Sequence, residues 1–272
     1  MLQTLTNPAF WAQFAVQTFD HFVWIGTVVA IFWVAEHFWP AGPQPTILDR
    51  LNNFLILGAV SVLSALLNVA MSWAPNILVE SGLSGVLIGD WRPITVVEVA
   101  LATLLYLFCY DVLQYWFHRA QHAIPGLWFV HALHHDEERM NATTSMRNTM
   151  WHLVFGFFAV QIPLTILCGF NLLVSYAALI FFSTYGFFNH ANIKLDLGPL
   201  GWLISGPQWH RLHHGRAPEY HNKNYAAFFP VIDMLFGTYL APKRGEQVAT
   251  GLADRPQRRL RPDKLVLDVA GL

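Results

Sequence analysis

Residues 148–193 read NTMWHLVFGFFAVQIPLTILCGFNLLVSYAALIFFSTYGFFNHANI, a run between Arg147 and Lys194 without Asp, Glu, Lys or Arg. At 1.5 Å per residue, a single helix of that length would extend about 70 Å, over twice the ~30 Å hydrocarbon core of a bilayer. The run must therefore turn, and Cys168-Gly169-Phe170-Asn171 supplies a breaker near its middle. A helical hairpin follows, roughly 151–168 and 172–190, with Pro163 kinking the first arm.

The rest of the chain agrees with a membrane setting. Charged residues make up 12% and hydrophobic residues 54% of its 272 positions. The usual charged share is about 25%, and the mean hydropathy here is +0.38. A formal net charge of −1 argues against a general nucleic-acid binder. Cys109 and Cys168 lie in apolar stretches with no CxxC spacing, which excludes a thiolate zinc site or disulfide framework. Residues 1–20 have no basic segment of the kind a cleavable signal peptide carries.

Three further spans are expected: 21–39, a segment within 51–79, and 94–110 running on into DVLQYWFHRAQH. Glu98 in the third span is costly unless it sits near a helix end or has a partner. With alternating crossings, residues 40–50, 118–150 and 191–272 share one face. That face holds 15 of the 16 Lys and Arg residues, with only Arg92 opposite, and is therefore expected in the cytoplasm. The basic cluster Arg255, Arg258, Arg259, Arg261 and Lys264 reads either as a tail near anionic headgroups or as a solvated run.

The same face collects histidine. HRAQH sets His118 and His122 one helical turn apart. HALHH adds His131, His134 and His135, HRLHH adds His210, His213 and His214, and His190 ends the returning hairpin arm. A lone histidine is more often structural than a ligand, but repeated HxxHH spacing on one membrane edge points to metal binding. Neutral imidazole suits iron, copper, nickel or zinc, and nine imidazoles at four or five per ion suffice for two ions. His21 and His37 read as interfacial, while His152 and His221 are possible neighbours of the site.

DVLQYWFHRAQH, LWFVHALHHDEERMNATTSMR, FFNHANI, PQWHRLHH and KNYAAFFPVIDMLFGTYLAP together resemble the fatty acid hydroxylase/sterol desaturase superfamily of integral-membrane di-iron enzymes. The resemblance covers about 108–242 and looks closest to bacterial members and the alkylglycerol monooxygenase branch. It implies His118, His122, His131, His134, His135, His190, His210, His213 and His214 as metal ligands. Asn141 and Arg147 match the pattern after the second box, and Asp111, two turns before His118, reads as an acceptor for an imidazole N–H or else as an interfacial helix residue. Asn148 replaces a frequent histidine, Ala226 a glycine and Ile232 a tryptophan, which weakens assignment to a subfamily.

The expected fold is an all-α integral-membrane bundle of about three spanning helices plus the hairpin, with a cytoplasmic histidine-rich helical cap. Its parts are N-terminal membrane helices 1–110, a catalytic domain 111–242 and a basic tail 243–272. The resemblance implies an oxidoreductase with two iron ions that uses O2 to hydroxylate or desaturate a lipid, with zinc a possible substitute in purified protein. No iron–sulfur, dinucleotide or haem motif is present, so electrons must come from a separate cytochrome b5-like, ferredoxin-like or pterin donor. A bacterial inner membrane is the expected location. A metal-transport protein and a zinc hydrolase using Asp136, Glu137 or Glu138 are the alternatives.

Overall fold

The computed structural model describes residues 8–71, 73–87, 93–169, 172–246, 248–254 and 257. Its helices are α1 (Pro8–Phe38), α2 (Ile47–Met71), α3 (Trp73–Glu80), α4 (Val96–Ala123), α5 (Pro125–His135), α6 (Met150–Cys168), α7 (Leu172–His190), α8 (Pro207–His213) and α9 (Pro230–Leu235). Among the described residues there is no strand, only two isolated antiparallel bridges, Pro40 with Ile193 and Gly215 with Thr250. Arg92, the turn residues Phe170 and Asn171, and the basic tail residues Arg255, Arg258, Arg259, Arg261 and Lys264 lie outside the described residues.

Helix α4 shows why the chain associates with a membrane. It is 28 residues long, and only 28% of its apolar window is buried inside the protein. Val97, Leu101, Leu104 and Phe108 recur at helical spacing and are all exposed, the reverse of a soluble core helix. Glu98 occupies the first turn, where it closes a capping box with Thr95, so its charge lies at the helix end. Helix α6 also meets the length and hydropathy of a membrane crossing, whereas the apolar stretch Phe22–Phe38 of α1 is shorter. The span expected within 51–79 falls on α2, and residues from Trp73 onward form α3.

The arms predicted for the hairpin appear as α6 and α7, and both pack on α4. Ala102, Tyr106 and Cys109 of α4 meet Leu164, Cys168, Val174 and Ala178 there. Pro163 is preceded by a π-turn over Phe157–Gln161, which absorbs the local disruption of the helical ladder. Because residues 110 and 111 are consecutive inside α4, the first histidine box continues a membrane helix without a joint.

A corner then folds the second box onto the first. Ile124 is extended because it precedes Pro125, and Pro125 opens α5 at a position where no N–H is needed. Beyond the corner, a polar layer joins the helix ends. Glu36, fully buried, accepts from Arg50 (2.6 Å), the Ala142 N–H (2.7 Å) and the Asn192 N–H (2.9 Å). Helices α1 and α2 are thereby tied to the segments that follow the second box and His190.

Candidate metal centre

The fold gathers all nine predicted histidines into two groups. His118 and His122 from α4, His131 and His135 from α5, and His213 from α8 form one; His134, His190, His210 and His214 form the other. Within each group the candidate ligand nitrogens lie within 4.8 Å of one another. The groups abut through His135 and His214, whose rings stack at 4.3 Å.

HALHH and HRLHH do not act as units. His131 and His135 join the five-membered group, but His134 joins the other; His210 and His214 share a group, but His213 leaves it. Successive helical residues differ by about 100° in direction, whereas positions i and i+4 differ by about 40°. Each HxxHH helix therefore serves both groups, and adjacent histidines are the ones that diverge.

Backbone carbonyls orient several rings. The Nδ1 of His118 lies 2.8 Å from the Tyr225 carbonyl, that of His213 2.8 Å from the Lys223 carbonyl, and that of His190 2.7 Å from the Gly186 carbonyl. A carbonyl can only accept, so each Nδ1 carries the proton and each Nε2 presents a lone pair. The His190 Nε2 lies 3.0 Å from the Nε2 atoms of both His134 and His210.

A metal fits this donor set. Seven of the nine histidines, all but His135 and His190, have at least one buried ring nitrogen with no hydrogen-bond partner. Each such atom costs roughly 1–3 kcal/mol to bury unpaired, so a cluster of them calls for a cation. Burial, reinforced by the neighbouring imidazoles, holds His131, His134, His135, His210, His213 and His214 well below the usual 6.5, which keeps them neutral and able to ligate.

The other predicted residues support the site from behind. Asp111 does not reach an imidazole, which corrects its predicted contact. Its two oxygens accept the backbone N–H groups of Ala227 (2.6 Å), Phe228 (2.9 Å) and Phe229 (2.6 Å). Asp233 similarly holds the N–H groups of Tyr225 (2.8 Å) and Ala226 (2.9 Å). The two carboxylates thus fix the segment whose Tyr225 carbonyl orients His118.

Arg147 is fully buried, paired with Asp136 and lying 3.3 Å from Glu137, directly beyond His134 and His135. Asn141 caps the 3₁₀ turn Ala142–Met146 through the Thr143 N–H. Asn148 donates to the Ser145 carbonyl. His152 belongs to neither group, but its Nδ1 accepts from Gln121 (2.9 Å) and its ring stacks on His131 at 5.9 Å. His221 is exposed and contacts the Arg216 carbonyl at 3.2 Å, and His37 is exposed on α1.

Sequence reading missed the contribution of the first two helices. Asn53 of α2, fully buried, bonds Arg147, Glu137 and Thr143. The available signal was a polar or ionisable residue, Glu36 or Asn53, inside a hydrophobic run, where such residues are expensive. The carbonyls of Tyr225, Lys223 and Gly186 gave no signal because every residue has one.

A cavity of about 390 Å³ reaches the histidines from outside the helices. His122, His135, His213 and His214 line it with Trp128 and His221, and residues Gly251–Asp254 form part of its wall.

Comparison with known proteins adds a family to this geometry. The chain is 35% identical over 156 residues to alkylglycerol monooxygenase of Xenopus tropicalis, covering 52% of this chain and 31% of that one. Human alkylglycerol monooxygenase is 34% identical over 151 residues, with the same shares covered. The chain thus matches only about a third of the length of these relatives. The ornithine lipid hydroxylase OlsE of Rhizobium tropici is 27% identical over 256 residues, covering 90% of this chain and 75% of that one. No solved structure matches. The fatty acid hydroxylase model matches residues 103–238, half of the sequence and the part that carries all nine histidines, and the chain belongs to that family.

Proposed function

We propose that the chain is a membrane-bound di-iron oxygenase that uses O2 to hydroxylate a lipid. The observation that carries this reading is the division of nine histidines, eight buried and His122 half-buried, into adjoining groups of five and four. Kinship with alkylglycerol monooxygenases and an ornithine lipid hydroxylase supports a lipid substrate. The nine histidines are the proposed iron ligands, and Asp111, Asn141 and Arg147 position the segments that carry them. Iron would supply the redox chemistry needed to activate O2, which side chains cannot supply and zinc, having no accessible redox state, would not.

The protein's own part is to hold and shield. His118, His190 and His213 keep their Nε2 lone pairs inward because their Nδ1 protons are bound to carbonyls. Arg147 and its carboxylates brace the second box in a region with no exposed side chain among them. The overall reaction consumes the lipid, O2, two electrons and two protons, and yields the hydroxylated lipid and water. A separate cytochrome b5-like, ferredoxin-like or pterin donor supplies the electrons. We assign the histidine face to the cytoplasmic side of a bacterial inner membrane, by the 15 Lys and Arg residues on that side. Residues 1–110 are the membrane anchor, 111–242 the catalytic part and 243–272 a basic tail.

Lipid analysis of a host expressing the chain under 18O2 tests the reading. A host lipid gaining one labelled oxygen, with two irons per chain, is the expected result. A new double bond without label would replace hydroxylation by desaturation. Unchanged lipids with no iron at a defined ratio would overturn the reading in favour of metal transport or zinc hydrolysis.

A further inference from the structure

A second cavity, of about 540 Å³, lies beside the histidine centre but is lined by none of its histidines. It is bounded by the segment from Lys194 to Trp202, by α8 and by the segment from Tyr239 to Val248. That volume is in the range of a small-ligand site.

Its charge is unbalanced. Lys194, Arg211, Lys243 and Arg244 line it against Asp196 and Glu246. The Glu246 carboxylate already accepts the Tyr220 hydroxyl (2.9 Å) and the Lys243 N–H (3.0 Å), and Asp196 accepts the Gly198 N–H (2.9 Å). Arg211 is the decisive residue. It is 4% exposed, and its Nε has no hydrogen-bond partner. Its Nη2 reaches only neutral oxygens, at Asn192 (2.8 Å) and Met140 (3.4 Å). Among the described residues it has no ion pair, and the nearby Glu36 is already paired with Arg50. A guanidinium buried without a counter-charge is strongly unfavourable.

The surroundings indicate the kind of anion. Lys194 follows His190, the last residue of the apolar helix α7, by four positions, placing this wall where α7 ends. The adjoining Leu200, Trp202 and Leu203 are 56%, 65% and 66% exposed, an apolar rim suited to acyl chains and headgroups. We propose that this cavity binds the anionic headgroup of a membrane lipid, with Arg211 at its base and Lys194, Lys243 and Arg244 at its mouth. The site needs no metal chemistry and stands apart from the oxygenase reading, although Arg211 shares α8 with His210 and His213.

The test uses the full chain in detergent, titrated with phosphatidylglycerol or phosphatidylcholine and read by native mass spectrometry. One phosphatidylglycerol should be retained in preference to phosphatidylcholine. The double variant Lys243→Ala/Arg244→Ala, altering exposed side chains only, should weaken that binding about tenfold or more while leaving phosphatidylcholine binding and metal content unchanged. Arg211→Met should weaken it further if the variant folds; the rim variant decides the matter if it does not. Equal retention of both lipids, or a double variant that binds like the parent, would overturn the proposal. Full displacement by millimolar inorganic phosphate would also overturn it, showing a site for small anions.

Discussion

The five-histidine and four-histidine groups both draw on the second and third boxes, but they differ in access. His122, His135 and His213 of the larger group face the 390 Å³ cavity, whereas only His214 of the smaller group does. The smaller group takes His190 from the end of α7, held by the Gly186 carbonyl one turn earlier. The larger group is thus the more open to exchange, through three ligands against one. The lesson is that similar ligands need not give equivalent sites, because second contacts and access set retention.

The largest effect should come from removing a ligand on either side. His190→Ala leaves the smaller group three imidazoles and should remove its iron, lowering product by more than about 100-fold. His122→Ala leaves four in the larger group and should lower product while retaining more of its metal. Iron per chain and labelled product check both; equal iron loss would break the proposed difference.

Arg147 should affect both groups together, because Asp136 and Glu137 follow His134 and His135 directly. Arg147→Met leaves buried carboxylates without their cation and should destabilise the fold by about 3–5 kcal/mol. A thermal or denaturant melt on protein in nanodiscs measures this, and an unchanged midpoint would remove Arg147 from its bracing role.

Acidification should separate the groups more gently. The buried histidines titrate below 6.5 in the fold and near 6.5 when unfolded, so the unfolded chain binds more protons between those values. Their stabilising contribution is present above 6.5 and declines as pH falls below it. Iron retained after dialysis should therefore hold at pH 6.5 and drop only well below it, first from the group facing the cavity. Simultaneous loss from both groups would remove the access difference.

The smallest effect is expected at Asp111. Asp111→Asn weakens the hold on Ala227–Phe229 and reaches His118 only through the Tyr225 carbonyl, so iron affinity in the larger group should fall about tenfold. Chelator titration should leave the four-histidine group unchanged; an equal loss there would mean that Asp111 supports the whole fold.

Much of this was legible in the chain because the signals were local. Charge-free length gives the arms α6 and α7, and histidine spacing picks out the residues that gather, whereas the corner at Pro125 came only from the structure. The partners of Arg147 were not legible, since Asn53 lies 94 positions away and nothing local links them. Asp111 misled for a related reason: its spacing from His118 was right for one helix face, but its oxygens are taken by the backbone N–H groups of 227–229.

By itself the sequence pointed to nine imidazoles that would gather, because their spacing sets them near the ends of apolar runs. Only the tertiary structure decided how they divide. His134 and His135 are neighbours in sequence, as are His213 and His214, yet each pair is split between the groups. A helix turns successive side chains about 100° apart, and the packing of α4, α5, α7 and α8 determines what lies in each direction.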